Sequence, residues 1–153
     1  MREPDRKRAP RMCMVAARFN SRYVDRMVEA ARATLLRHGV EATYIELIRV
    51  PGAFELPLAC QRVAESRRFD AILAFGCLIE GETDHYRLVA EAVTHGLMRV
   101  GLEQAVPVLH GVLAVHDAAQ ADARTGGEVG NRGAEVALAA LATCGITPQM
   151  ESS

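Results

Sequence analysis

Apolar runs and amphipathic stretches alternate along this chain. Met12 to Ala17 is a short unbroken apolar run, the pattern of a strand buried on both faces. From Ser21 onward, Val24, Val28, Ala31 and Leu35 recur every three or four residues, which predicts a helix capped by Ser21. Gly39, following His38, closes that helix as a C-terminal glycine cap. Ala42 to Val50 alternates and is rich in β-formers, so it reads as a second strand. Pro51-Gly52 makes a turn, and a helix is expected from about Glu55 to Ser66. Ala71 to Cys77 reads as the third strand, and Pro107 to Val115 as the fourth. Between them, Val89, Val93, Leu97 and Val100 mark the buried stripe of a helix from about Asp84 to Glu103. A short helix from about Ala118 to Thr125, a glycine loop from Gly126 to Gly130, and a last helix from about Asn131 to Thr143 complete the chain. Ala134, Leu138 and Leu141 are expected on one face of that last helix.

Strand–helix alternation predicts an α/β fold, a three-layer α/β/α sandwich around a four-stranded parallel sheet. The 153 residues suit a single domain with a real core. That domain is expected to span residues 12–147, between a flexible N-terminal tail at 1–11 and a C-terminal tail at 148–153. Hydrophobic residues make up 50% and charged residues 24%, ordinary for a globular protein in water. Formal net charge is -1, so no overall field points to nucleic acid or a membrane. The basic cluster Arg2, Arg6, Lys7, Arg8 and Arg11 reads as a solvated tail. No apolar run reaches membrane-spanning length, and no signal peptide is evident before the first strand.

Cys13, Cys60, Cys77 and Cys144 form no CxxC pair and sit at no metal-ligand spacing with a histidine. They lie in apolar surroundings, where reduced cysteine behaves as a small hydrophobe. A cytoplasmic protein without disulfides or metal is therefore expected. His38 reads as a helix-terminal residue and His95 as a mid-helix packing or surface residue.

Ligands of parallel sheets sit at the carboxyl ends of the strands. The residues there are Arg18-Phe19-Asn20, Gly52-Ala53-Phe54-Glu55, Leu78 to His85, and Val115-His116-Asp117. With only seven aromatic residues, two of them, Phe19 and Phe54, fall at strand ends, where a core does not require them. The bland account of Phe19 is a hydrophobic staple around the helix cap at Asn20 or Ser21; a ligand contact is the sharper one. After the third strand, a glycine turn carrying Thr83 and Asp84 leads to His85 at a helix start. Helix-start amides attract anions, and histidine is the side chain suited to proton transfer near neutrality. This combination suggests a small phosphorylated ligand beside a general acid/base. No GxGxxG follows the first strand, and GxxxxGK[ST] and GxSxG are absent. Nicotinamide, P-loop and serine-hydrolase chemistry are poor readings.

Five segments in order resemble the 6,7-dimethyl-8-ribityllumazine synthase family. They are Arg18-Phe19-Asn20, Val50 to Pro57 (VPGAFELP), Gly81 to Tyr86 (GETDHY), Ala92 to Leu97, and Gly130 to Glu135. The resemblance covers roughly residues 12 to 145. It implies a flavodoxin-like fold and a cofactor-free condensation of 5-amino-6-(D-ribitylamino)uracil with 3,4-dihydroxy-2-butanone 4-phosphate. It also implies roles. Phe19 stacks on the pyrimidine, with Asn20 beside it. Gly52, Ala53, Phe54 and Glu55 bind the ribityl chain, Glu55 accepting hydroxyl hydrogen bonds. Cys77, Leu78 and Ile79 read the pyrimidine edge through backbone groups. Glu82 and Thr83 hold the phosphate, and His85 is the general acid/base. Arg124 binds phosphate from a neighbouring subunit, His110 walls the neighbour's pocket, and Arg132 stands where lysine is common.

The chain departs from the family pattern in places. Glu80 replaces a common arginine, His110 a frequent phenylalanine, and Ala114-Val115 a frequent Thr-Thr pair; Glu128 stands where some members have lysine. A paralogue that only binds flavin or lumazine, or serves as a structural assembly, is the alternative these changes keep open. The resemblance further implies a homo-oligomer built from pentamers. The loop Gly126 to Gly130 is similar to that of shell-forming members. The helix end Met98 to Glu103 and His116-Asp117 are similar to members forming dimers of pentamers. Two small-molecule substrates are the expected partners, with neither nucleic acid nor membrane.

Overall fold

The computed structural model describes residues 9–145. Four strands, β1 (Met12–Ala17), β2 (Ile45–Val50), β3 (Ala71–Ile79) and β4 (Val108–Val115), form one parallel sheet in the order β2-β1-β3-β4. Helices α1 (Ser21–Arg37) and α5 (Arg132–Thr143) cover one face, and α2 (Leu56–Glu65) and α3 (His85–Gln104) the other. The short α4 (Ala118–Arg124) follows β4. This is the expected three-layer α/β/α architecture.

β1 explains the lack of alternation at its position. All six of its residues are buried, because it lies between two strands and under helices on both sides. Met12, Met14 and Ala16 pack with Leu73, Phe75 and Leu141 on the α1/α5 side. Cys13, Val15 and Ala17 pack with Leu56, Ile72 and Val93 on the α2/α3 side. Each fully buried large apolar side chain contributes about 1.5–3 kcal/mol, so two independent cores hold the sheet.

Several expected elements differ. Ala42–Tyr44 is a 3-10 turn, so the second strand begins only at Ile45. A second 3-10 turn, Ala53–Glu55, precedes α2, with Pro57 in that helix's first turn, where its missing N–H costs nothing. The glycine loop contains a small antiparallel hairpin, β5 (Thr125–Gly127) with β6 (Gly130–Asn131). In α5 the buried face is Gly133, Val136, Ala137, Ala140 and Leu141; Ala134 and Leu138 are half-buried beside it. Ser21 does not cap α1. Asn20 occupies the cap position in the left-handed region, φ 57°, and its side chain is engaged elsewhere.

The expected tails lie largely outside the described residues, as do 1–8 and 146–153 altogether. Arg11 is tied in place: its N–H donates to Asp70 Oδ2 at 2.7 Å, and its guanidinium lies 5.0 Å from the Tyr44 ring centre. All four cysteines are free thiols. Burial above all pushes Cys13 and Cys60 up to about 12 and Cys77 and Cys144 up to about 11. They are protonated packing residues, poorly suited to act as nucleophiles.

Candidate active site

The parallel pairing of β1 and β2 continues past both strands. Arg18 N–H donates to Val50 O at 2.8 Å and Phe19 N–H to Pro51 O at 3.0 Å, which sets Phe19 beside the Pro51-Gly52 turn. Asn20 then reverses the chain into α1 and sends its amide to the Cys77 carbonyl at 2.7 Å. Because β1 lies beside β3, this one side chain ties the loop after β1 to the C-terminal end of β3. Phe19 and Phe54 are 69% and 66% exposed. That rules out a staple for Phe19 and leaves two aromatic faces bare at the sheet's carboxyl edge. The Glu55 carboxylate folds back over Gly52, with Oε2 only 3.3 Å from where a Cβ would stand on that glycine. Gly52 thus leaves room for the carboxylate in the turn that continues into Ala53.

Beyond β3, Leu78 and Ile79 are half-buried, and Gly81 to His85 are exposed. The turn delivers His85 as the first residue of the 20-residue α3. Thr83 Oγ1 accepts from the His85 main-chain N–H at 3.3 Å, fixing the turn against the helix start. Asp84, at the cap position, makes no side-chain cap bond. The helix start therefore keeps polar N–H groups and a positive dipole end toward this turn. Glu80 is directed elsewhere. Its N–H donates to Val115 O at 2.9 Å, and its carboxylate meets His116 Nδ1 at 2.6 Å. The Glu80 carboxylate is thus engaged by a side chain after β4, and the pairing was not visible at a separation of 36 residues.

His110, Arg124 and Arg132 come together elsewhere. With Val112, Ala114 and Glu135 they line a cavity of about 310 Å³ beside β4. Asp117 caps α4 by accepting from Gln120 N–H at 2.8 Å. The Arg26–Asp122 pair, 2.7 Å, fastens α4 to α1 and so steadies Arg124. Asn131 caps α5, accepting from Gly133 N–H at 2.7 Å and Ala134 N–H at 3.3 Å. Arg132 pairs with Glu135 at 3.1 Å. His110, half-buried on the edge strand, shares a 2.9 Å hydrogen bond between Nε2 and Thr94 Oγ1. Burial pushes its imidazole below the usual range and Arg132 adds to this, against a hydrogen bond to its own main chain. The ring is therefore neutral at neutral pH. Thr94, Asp122 and Arg26 were given no role by sequence. Thr94 lies within a segment that carries the resemblance, so its place there was the available signal.

The predicted residues thus fall into two groups in this chain. Phe19, Asn20, Gly52, Ala53, Phe54, Glu55, Glu82, Thr83 and His85 follow β1, β2 and β3, and Cys77, Leu78 and Ile79 end β3, all toward the sheet's carboxyl edge. His110, Arg124 and Arg132 line the cavity beside β4, and none of the first group lines it. Among the described residues no group of three or more His, Cys, Asp or Glu could hold a metal ion, and no helix is long and apolar enough to cross a membrane.

This fold defines a parallel α/β protein, a class whose ligands sit at the carboxyl ends of the strands. A family model described as 6,7-dimethyl-8-ribityllumazine synthase matches residues 9–147, and the chain belongs to that family. A 6,7-dimethyl-8-ribityllumazine synthase of Halorhodospira halophila (strain DSM 244 / SL1) is 49% identical over 142 residues, 93% of this chain and 91% of that protein. One of Stenotrophomonas maltophilia (strain R551-3) is 49% identical over 140 residues, 92% and 90% of the two chains. One of Xanthomonas euvesicatoria pv. vesicatoria (strain 85-10) is 50% identical over 131 residues, 86% and 85%.

Proposed function

We propose that this protein is a transferase of riboflavin biosynthesis. It condenses 5-amino-6-(D-ribitylamino)uracil with 3,4-dihydroxy-2-butanone 4-phosphate to give 6,7-dimethyl-8-ribityllumazine. The observation that carries this is the family match along almost the whole chain, joined to bare aromatics and a helix-start turn at one sheet edge. Retention of Phe19, Glu55, Thr83, His85 and Arg124 together favours the enzyme over a paralogue that only binds or assembles.

In this account the pyrimidine stacks on Phe19. Its ribityl hydroxyls donate to Glu55, and its edge meets main-chain groups of Cys77 to Ile79. Asn20 holds the Cys77 carbonyl in place for that contact. The phosphate of the second substrate sits at the Glu82-Thr83 turn, where helix-start amides and Arg124 offset its charge. The substrate amine attacks the ketone carbon and a first water leaves to give an imine, after which phosphate is eliminated. The second amine then closes the ring on the remaining carbonyl with loss of a second water. His85 moves protons between the amine and the departing oxygens, and two-substrate orientation supplies much of the acceleration.

The division of the candidate residues into two groups supports a site completed between subunits. Arg124, His110 and Arg132 of one subunit would meet the strand-end loops of the next, and the smallest active unit would be a homopentamer. Four free cysteines fit a cytoplasmic setting. The direct test mixes both substrates with purified protein and follows lumazine absorbance or fluorescence. Enzyme-dependent lumazine formation is expected. Ligand binding without turnover would sink the proposal.

A further inference from the structure

His110 sits on β4, the edge strand of the sheet, and faces both the cavity beside α5 and a wide apolar groove of about 670 Å³ along α3. An imidazole on an edge strand has several rotamers open to it. Here one is selected, because Thr94 on α3 presents its hydroxyl 2.9 Å from Nε2. The register explains why these two meet. His110 lies opposite Ala74, whose side chain packs in the core beneath α2 and α3, so the histidine leans to the α3 side of the sheet.

We propose that Thr94 is a positioning residue: its hydroxyl holds the His110 imidazole in one orientation, so that the face of the ring closes the pyrimidine pocket of the adjoining subunit. This rests on the reading that His110 contributes to a neighbour's site. Burial above all holds the imidazole below the ordinary histidine range. A neutral imidazole has one donor and one acceptor. With Nε2 engaged by Thr94, that polar edge is held within the subunit. What remains for a ligand is a flat π surface, the surface a phenylalanine would offer. The histidine acts as an aromatic plate, and Thr94 supplies the tether that a phenylalanine neither needs nor could use.

A double-mutant cycle separates this from a structural role. Thr94→Val should raise KM for the ribitylaminouracil roughly 3- to 30-fold through misplacement of the plate. KM for the phosphate substrate and kcat should move much less. Thr94→Ser, which keeps the hydroxyl, should restore the wild-type value. In the His110→Phe background the same Thr94→Val change should shift KM by less than about 2-fold, because there is no imidazole left to hold. An equal KM increase in both backgrounds would overturn the inference and make Thr94 an ordinary packing residue. His110→Ala tests the underlying reading by itself. Unchanged KM for the ribitylaminouracil in that variant would remove His110 from the pocket, and the inference with it.

Discussion

Gly133 is the position where one methyl group should be felt most. It is the second residue of α5, and it lies against the backbone of α1. A Cβ built there would stand 2.0 Å from the Met27 carbonyl oxygen and 2.6 Å from the Met27 Cα. Ordinary carbon contacts lie at about 3.5 Å or more, so the helices would have to part by roughly 1.5 Å. No rotamer change can relieve this, since the obstacle is main chain. Overpacking of this kind costs about 1–3 kcal/mol, and the upper end applies where backbone must move. Replacing glycine by alanine returns about 0.4–1 kcal/mol through the unfolded chain. The net loss for Gly133→Ala is then about 2 kcal/mol, or a fall in Tm of roughly 4–8 °C for a chain of this size. The displacement should also reach the site. Asn131 caps α5 through the Gly133 N–H and donates to Arg26 O at 3.4 Å, with Arg132 between them, so KM should rise along with the loss of stability. Thermal denaturation by circular dichroism, at one fixed protomer concentration, is the assay. Gly81→Ala is the stability control, because nothing lies within 4 Å of a Cβ there. A Gly133→Ala protein that melts with the wild type would refute this account of the α1–α5 contact.

Three further outcomes are expected. His85→Ala should lower kcat roughly 10- to 1000-fold; unchanged turnover at saturating substrates would remove the proton-transfer role. Arg124→Ala should raise KM for the butanone phosphate far more than for the ribitylaminouracil, and equal losses in steady-state kinetics would contradict the assignment. The third concerns pH. Burial depresses the His110 imidazole in the folded chain, so below the ordinary histidine range of about 6.5 the unfolded chain binds more protons and stability rises with pH. Acidifying from about pH 7.5 to about 5.5 should therefore lower the Tm of the wild type more than that of His110→Phe. Equal decreases would show that His110 carries no such linkage.

The sheet was legible because its strands are short apolar runs set between helical stripes, and the strand-end residues followed from the rule for parallel sheets. What escaped has local causes. Ala42–Tyr44 carries β-forming Thr43 and Tyr44, yet the chain needs a tight turn there to enter β2. The hairpin at Thr125–Asn131 is built on glycines, which suppress any strand signal. Residues 137–142 of α5 are all alanine or leucine, so periodicity alone could not choose its buried face. Ser21 looked like a cap because nothing in sequence shows Asn20 reaching Cys77 across 57 residues. The same holds for Glu80 with His116 and Thr94 with His110. Each is a long-range contact created by the order of strands and helices in space, and that order is not written in any local pattern.

The claim that a single site is completed by two subunits is tested most directly by assembling mixed rings. His85→Ala and Arg124→Ala chains, each nearly inactive alone, are co-expressed and purified as one assembly. Lumazine formation is then measured at limiting butanone phosphate. If His85 and Arg124 meet across an interface, about a quarter of the sites in a randomly mixed ring combine two intact halves, and activity should rise toward about a quarter of wild type. Activity no higher than the average of the two variants measured separately would place both residues in one subunit's site and contradict the account.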